Sequence, residues 1–407
     1  MRLRERLVMA IILAAVSVPA FAQFTGTSEP GLVEWKHGIV IWKSEDDHFA
    51  GRFDTRAFLN GAYFFENKNK LSNGTHLRKA RFALKTVLWK KWYAEWDIDV
   101  AEGVVEAKDM YLTYMGFKNS EIQFGQFKEP FGLEILTSSR YLPFPERAYL
   151  GLGFKLGRRM GIGYTRWGAR WNVRAALYGQ AFDTKKNKIK DETGGGIGVR
   201  LVGLPLKSDH FLVHTGASVN WTTPDDETKM VKFKAEPETK IGDVEILDTG
   251  ALLNVRYTRR VGLEGTAIFR NFHLQTEYAW VDVKRLGSLP TVQFSGGYLY
   301  LLWTITGESR HWLPSQGEFS QLIPRNEQKG AWELGFRYSY MNLSDTHTGI
   351  LGGRANNYSA VVNWYANANM VFQINYTLVR NSPNATGNGF VGGDHFSYIQ
   401  FMTKYFF

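Results

Sequence analysis

The feature that most constrains this chain is a two-residue alternation of apolar and polar side chains. It starts near residue 51 and recurs to the last residue, in runs of about 9 to 14 residues. In Trp92 to Val100, Trp92, Ala94, Trp96, Ile98 and Val100 share one parity, and Tyr93, Glu95, Asp97 and Asp99 the other. Near Trp332, the residues Trp332, Leu334, Phe336, Tyr338 and Tyr340 oppose Glu333, Gly335, Arg337 and Ser339. An extended strand sends such sets to opposite faces. Sandwich strands usually stop at about five or six residues, whereas about nine to eleven are needed to cross a bilayer at a tilt.

Sixteen runs can be counted, at 51–64, 76–89, 91–101, 106–116, 121–128, 159–167, 170–180, 194–203, 210–221, 249–269, 271–283, 294–306, 330–342, 356–365, 369–379 and 395–407. The tenth is long enough for two strands, with Arg259-Arg260 as the interruption. The reading is an all-β fold, a 16-stranded antiparallel transmembrane β-barrel over 49–407, with both termini in the periplasm. Closure leaves no unpaired edge in lipid. Lys90, Gly168-Ala169, Arg270-Asn271 and 366–368 are tight periplasmic turns; 183–193, 222–248 and 380–394 are extracellular links. Two segments break the pattern. The link at 307–329 is long on the side where turns should be short. The third extracellular link, with 124–148 and on to Arg158, is far too long for a hairpin turn, and it is read as a loop folded into the barrel.

Before the alternation come Arg2, Arg4 and Arg6, an apolar run from Leu7 to Val18, and Ala20-Phe21-Ala22. This is the pattern of an export signal over 1–22, too short to span as a helix. Residues 23–48 read as an irregular lead in which Glu45-Asp46-Asp47-His48 is a solvated turn, not a metal site. The chain has no cysteine, so its rigidity comes from elsewhere than disulfides. The net charge of +10 is compatible with nucleic acid, anionic lipid or anionic solutes. For an exported chain with charges interleaved along its strands, nucleic acid drops out. The run Lys185, Lys186, Lys188 and Lys190 reads as an extracellular charge cluster. Phe401, Thr403, Tyr405 and the terminal Phe407 share a face, the ending that the outer-membrane barrel assembly machinery reads.

Sixteen strands enclose a water channel. With the apolar parity facing outer-membrane lipid, the lumen wall carries Arg52, Arg56, Lys79, Arg81, Lys85, Arg159, Arg170, Arg174, Arg200, Arg256 and Arg337. It also carries Asp54, Glu95, Asp97, Asp99, Asp109, Glu264, Glu277 and Glu333. The modest basic excess favours small anions, since Arg and Lys rings select for them and guanidinium forks fit phosphate and carboxylate. The competing readings are a general, non-selective porin, a barrel enzyme and a loop-based receptor. Ser138 and Ser139 have no histidine partner evident in the sequence, so the expectation is no catalytic site, no cofactor and no metal.

The segment GQFKEPFGLEILTSSRYLPFPERA, followed by Gly157-Arg158-Arg159-Met160-Gly161, resembles the phosphate-selective porin O and P family. So do, in order, Leu77-Arg78-Lys79-Ala80-Arg81, Lys108-Asp109-Met110-Tyr111, Thr306-Gly307-Glu308-Ser309-Arg310, Gly330-Ala331-Trp332-Glu333-Leu334 and Asn363-Trp364-Tyr365. The resemblance implies a homotrimeric outer-membrane porin of a Gram-negative bacterium for passive diffusion of anions, phosphate or phosphate-bearing solutes among them. It implies anion contacts from Arg78 and Lys79, Ser138 and Ser139, Arg147, Asp109 and Arg56, beside the wall residue Arg81. Phosphate-specific members place a loop Lys just after Gly-Leu-Glu, where this chain has Ile135. Strict alternation sends Arg78 to the lipid side, so a place in the channel requires a bulge or a shifted strand start.

Overall fold

The computed structural model of this chain describes residues 33–36, 39–65, 68–101, 103–182, 194–242 and 244–407. The export signal expected at 1–22 and the charge cluster at 183–193 lie outside the described residues. The alternating runs become the strands β1 (Phe49–Phe65), β2 (Gly74–Leu88), β3 (Trp92–Asp99), β4 (Glu106–Phe117), β5 (Ser120–Lys128), β6 (Arg158–Gly168), β7 (Trp171–Tyr178) and β8 (Gly196–Lys207). They continue as β9 (Phe211–Thr222), β10 (Val255–Phe269), β11 (Phe272–Arg285), β12 (Val292–Thr304), β13 (Ala331–Asp345), β14 (Ile350–Tyr365), β15 (Met370–Asn381) and β16 (Phe396–Phe406). Each pairs antiparallel with its neighbours, and β16 closes on β1 through Ser397↔Phe65 to Phe406↔Arg56. The barrel thus has sixteen strands. The terminal Phe407 and Thr55 exchange backbone hydrogen bonds of 3.1 and 2.9 Å, completing the seam.

The tenth run is one strand. Arg259 points out, paired with Asp282, and Arg260 points in, so the doublet does not interrupt it. Arg256, assigned to the lumen by parity, is exposed at a register shift between Val255 and Tyr257. Arg170 sits exposed in the turn before β7 rather than on the wall. Part of the stretch read as an irregular lead is ordered. Val33–Lys36 and Ile39–Lys43 pair with each other, and Ile41 to Lys43 pair with Ala50 to Arg52 of β1. That edge of β1 lies beyond the end of β16, and an uncovered edge would expose unpaired backbone groups.

The outward face carries two aromatic girdles. Toward the short turns, Trp332, Trp364 and Phe372 stack at centroid distances of 5.8 and 5.2 Å, and Phe272 stacks on Trp303 at 6.0 Å. Toward the long loops stand Tyr338, Tyr340, Tyr358 and Tyr376. From Trp332 to Tyr340 the strand rises roughly 26 Å, or about 20 Å along the membrane normal at a tilt of about 40°, which covers most of the apolar band of about 25 Å of an outer-membrane barrel.

Three segments fold into the barrel. The loop between β5 and β6, here called L3, carries the short helices α1 (Leu133–Leu136) and α2 (Tyr149–Gly153). The link between β9 and β10 turns inward instead of projecting outward, burying Val231, Phe233, Ile241, Ile246, Leu247 and Leu252. These meet Phe131, Phe144, Tyr149, Leu150 and Phe154 of L3 and the inward apolar residues of β11 to β16 in one core. The long link at 307–329 is the third. It enters from the periplasmic side and places Trp312 and Phe319 against His214, Val202 and Leu133. These segments fill the lumen against the later strands, and the open passage lies against β1 to β7.

Candidate functional site: a cation-lined passage

The passage is a cavity of about 510 Å³ between L3 and the wall of β1 to β7. Its lining contains ten cationic side chains, Arg52, Arg56, Lys79, Arg81, Lys85, Lys128, Arg140, Arg147, Arg158 and Arg174, against four carboxylates, Glu95, Asp109, Glu121 and Glu318. Wall positions follow from alternation: Lys79, Arg81 and Lys85 of β2 point inward, and Arg81 and Lys85 lie opposite Asp99 and Glu95 of β3. Arg81 Nε donates to Asp99 at 2.8 Å, Lys85 pairs with Asp54 at 2.8 Å, and Arg158 pairs with Asp109 at 2.6 Å. Arg174 lies 3.6 Å from Glu318, which the inturned link at 307–329 supplies. Tyr93 and Tyr111 both donate to Glu95 Oε2 at 2.8 Å, fixing that carboxylate.

Lys79 differs from these. It is buried and stacked over the Phe58 ring at 5.5 Å, with no carboxylate within ion-pair distance among the described residues. The Ser139 hydroxyl is likewise buried without a hydrogen-bond partner among the described residues. Seven of the residues singled out in the sequence, Arg56, Lys79, Arg81, Asp109, Ser138, Ser139 and Arg147, line this one cavity.

Arg78 is the exception. The β1–β2 register skips it: Phe58 pairs with Lys79 and Leu59 with Leu77. The bulge turns Arg78 inward, as its neighbour Lys79 already is, but toward L3 rather than into the passage. Its guanidinium makes a two-pronged contact with Glu146. Burial alone would push the Glu146 carboxyl up; Arg78 outweighs it and holds the group down at about 2. Arg78 is thus a staple for the loop.

L3 is held at several other points. Gly132 has φ +71°, and a Cβ there would sit 2.8 Å from Glu277 Oε2. The bare glycine lets the Glu277 carboxylate reach the start of α1, where it accepts from Leu133 N at 2.8 Å and Glu134 N at 2.7 Å. Tyr298 OH donates to the same carboxylate at 2.5 Å. Further along, Lys404 Nζ donates to Leu142 O at 2.9 Å and Arg337 Nη1 to Glu146 O at 2.9 Å. The Glu134 carboxyl is pushed up by burial to about 7, against the pull of Arg337 and Arg147. Gly317, at φ +60° and close to Asn172 and Arg200, lets the inturned link press on the wall, where Arg200 donates to its carbonyl at 2.9 Å.

Arg147 faces the passage and also spans L3, donating to Glu134 O at 2.9 Å and Thr137 O at 2.7 Å. Lys128 donates to the carbonyls of Ile135 and Leu136 at 2.8 and 2.7 Å. Sequence reasoning missed Lys128, Arg140 and Arg158 as lining residues. Arg140 directly follows Ser138-Ser139, and that adjacency was an available signal. Nothing in the sequence revealed the contribution of Ser315, Gln316 and Glu318.

The family model for "Phosphate-selective porin O and P" matches residues 49–407. The chain belongs to that family. This porin is 24% identical over 428 residues to Porin O of Pseudomonas aeruginosa, with 96% of each chain covered. Among solved structures, the anion-selective porin from Comamonas acidovorans superimposes with a TM-score of 0.56 at 12% identity, covering 88% of this chain and 100% of that one. The trimer form of OmpT, an outer membrane protein of Vibrio cholerae, gives 0.55 at 10% identity, covering 89% and 100%. At such identities these likenesses concern the fold. Fold and family together place this porin in the outer membrane of a Gram-negative bacterium, around a water-filled passage.

Proposed function

We propose that this porin conducts small anions by passive diffusion, with phosphate and phosphate-bearing solutes as the class that fits its passage. The reading rests on the excess of cations in the lining, ten against four carboxylates. It rests further on donors left without an acid partner among the described residues, Lys79 and the Ser139 hydroxyl. Such donors replace water around an oxyanion, and the wall acids keep the ion from being held too long. Arg56, Arg81, Ser138 and Arg147 surround the path, and Asp109 orients Arg158. A homotrimer is the assembly we propose, on the strength of the family and of the trimeric relative of the same fold. The protein acts as a channel, the role to which its family points.

One observation favours a weakly selective porin instead: Arg81, Arg158 and Arg174 each face a carboxylate within 3.6 Å. Planar-bilayer recording in a KCl gradient, repeated with phosphate added, separates the two. Anion selectivity with partial block of chloride current by phosphate supports the phosphate-fitting passage. Anion selectivity without block supports the general porin, and cation selectivity refutes both anion readings.

A further inference from the structure

The outward face of the barrel, which is apolar between the girdles, turns basic on one side just above the tyrosines. Arg354 on β14 and Arg380 on β15 both point outward and are exposed. Asn356 pairs with Arg380, and Ala355 with Asn381, which makes the two arginines diagonal neighbours across the strand pair. Their Cβ atoms are then about 7–8 Å apart or less. Neither guanidinium has an acid or carbonyl partner among the described residues, whereas the outward Arg259 on β10 is neutralised by Asp282. Tyr340 pairs with Asn356, so the two arginines stand at the upper edge of the girdle, on the side of the long loops.

An uncompensated arginine on the lipid face is costly near the bilayer midplane and is tolerated at the interface, where headgroups begin. Two forks at this spacing present parallel donor pairs to one anionic group, and guanidinium prefers phosphate oxygens in that geometry. Tyr358 and Tyr376 lie roughly 13 Å down the same strands, where acyl chains start.

We infer that Arg354 and Arg380 form a docking site for a phosphorylated glycolipid headgroup of the outer leaflet. The phosphate sits on the two guanidinium groups and the acyl chains run down over Tyr358 and Tyr376. This occupant accounts for charge, height and the apolar surface beneath. A free phosphate ion accounts for the charge alone, and a second protein copy for the apolar surface alone.

The test uses the full-length porin in nanodiscs containing bis-phosphorylated lipid A or its dephosphorylated form. Lipid retained through purification is counted by native mass spectrometry. The wild-type protein is expected to retain the phosphorylated lipid about tenfold better than the dephosphorylated one, with no displacement by millimolar inorganic phosphate. Arg354→Gln with Arg380→Gln is expected to abolish that preference, and Arg354→Lys with Arg380→Lys to restore part of it. Single-channel conductance is expected to stay unchanged throughout. The comparison of the two lipids on wild-type protein needs no variant to fold. Equal retention of both lipids, undiminished retention by the Gln pair, displacement by inorganic phosphate, or disulfide cross-linking between protomers through Tyr358→Cys would each overturn the assignment.

Discussion

Glu277→Gln is the sharpest perturbation of the inserted loop. The glutamate carboxylate accepts three hydrogen bonds, from Leu133 N, Glu134 N and Tyr298 OH, in a buried setting. Glutamine is nearly isosteric but has one acceptor oxygen, and its NH2 group must then face a backbone N–H. At least one donor at the start of α1 is left unsatisfied. Burying an orphaned N–H costs about 1–3 kcal/mol, so up to about 3 kcal/mol is the expected loss of hold on α1. At 1.4 kcal/mol per decade, the undocked fraction of that end of L3 rises up to about a hundredfold.

The far half of L3 keeps its bonds from Lys404, Arg337 and Asn363, so the disturbance stays within the stretch from Glu129 to Thr137. In bilayer recordings the variant is expected to show brief, larger current steps up to about a hundred times more often than wild type. The folded barrel should still migrate as a heat-modifiable species on gels. Event frequency within twofold of wild type would refute the carboxylate clamp.

Other consequences follow from the same geometry. Lys79→Gln removes a buried cation with no carboxylate partner among the described residues and should lower anion conductance severalfold, read as a shift of reversal potential toward zero in a salt gradient. Ile135→Lys, which places a cation where the family resemblance implies one, should weaken the docking of L3 instead of creating an anion site, because Ile135 is packed in the core; faster proteolysis within the loop checks this. Glu134 binds its proton more tightly in the docked loop, with its carboxyl raised from 4.5 to about 7. Docking of L3 is therefore fully supported below pH 4.5 and weakens as pH rises to about 7, by about 3 kcal/mol in all. Open-channel noise should grow from pH 5 to pH 8 in wild type and stay flat in Glu134→Gln.

The barrel wall was legible because period-two alternation is enforced by lipid on one side and water on the other, strand after strand. The count of sixteen, the closing pair of β16 with β1 and the inward L3 all follow from that pattern and from loop length. Alternation cannot see a bulge, and this is why Arg78 fell on the wrong face and Arg256 on the wall. It also says nothing about inserted segments, whose partners lie far away in sequence. The apolar residues of 231–252 and the pair Trp312 and Phe319 carry no periodic signature, so their burial could be learned only from the folded chain. The family resemblance placed Arg147 on the path of the ion. The structure adds that the same guanidinium holds the carbonyls of Glu134, Ile135 and Thr137 around α1, so Arg147→Ala would change current for two reasons at once.

Because the packed part of the interior presses on β11 to β16 and leaves the water column against β1 to β7, this porin divides its labour by side. Substitutions on the inward face of the later strands reach a permeating solute only by shifting the insert, whereas those on the early strands meet it directly. Natural variants that retune permeability without loss of yield should therefore accumulate on the first seven strands, and variants that fail to assemble on the last six.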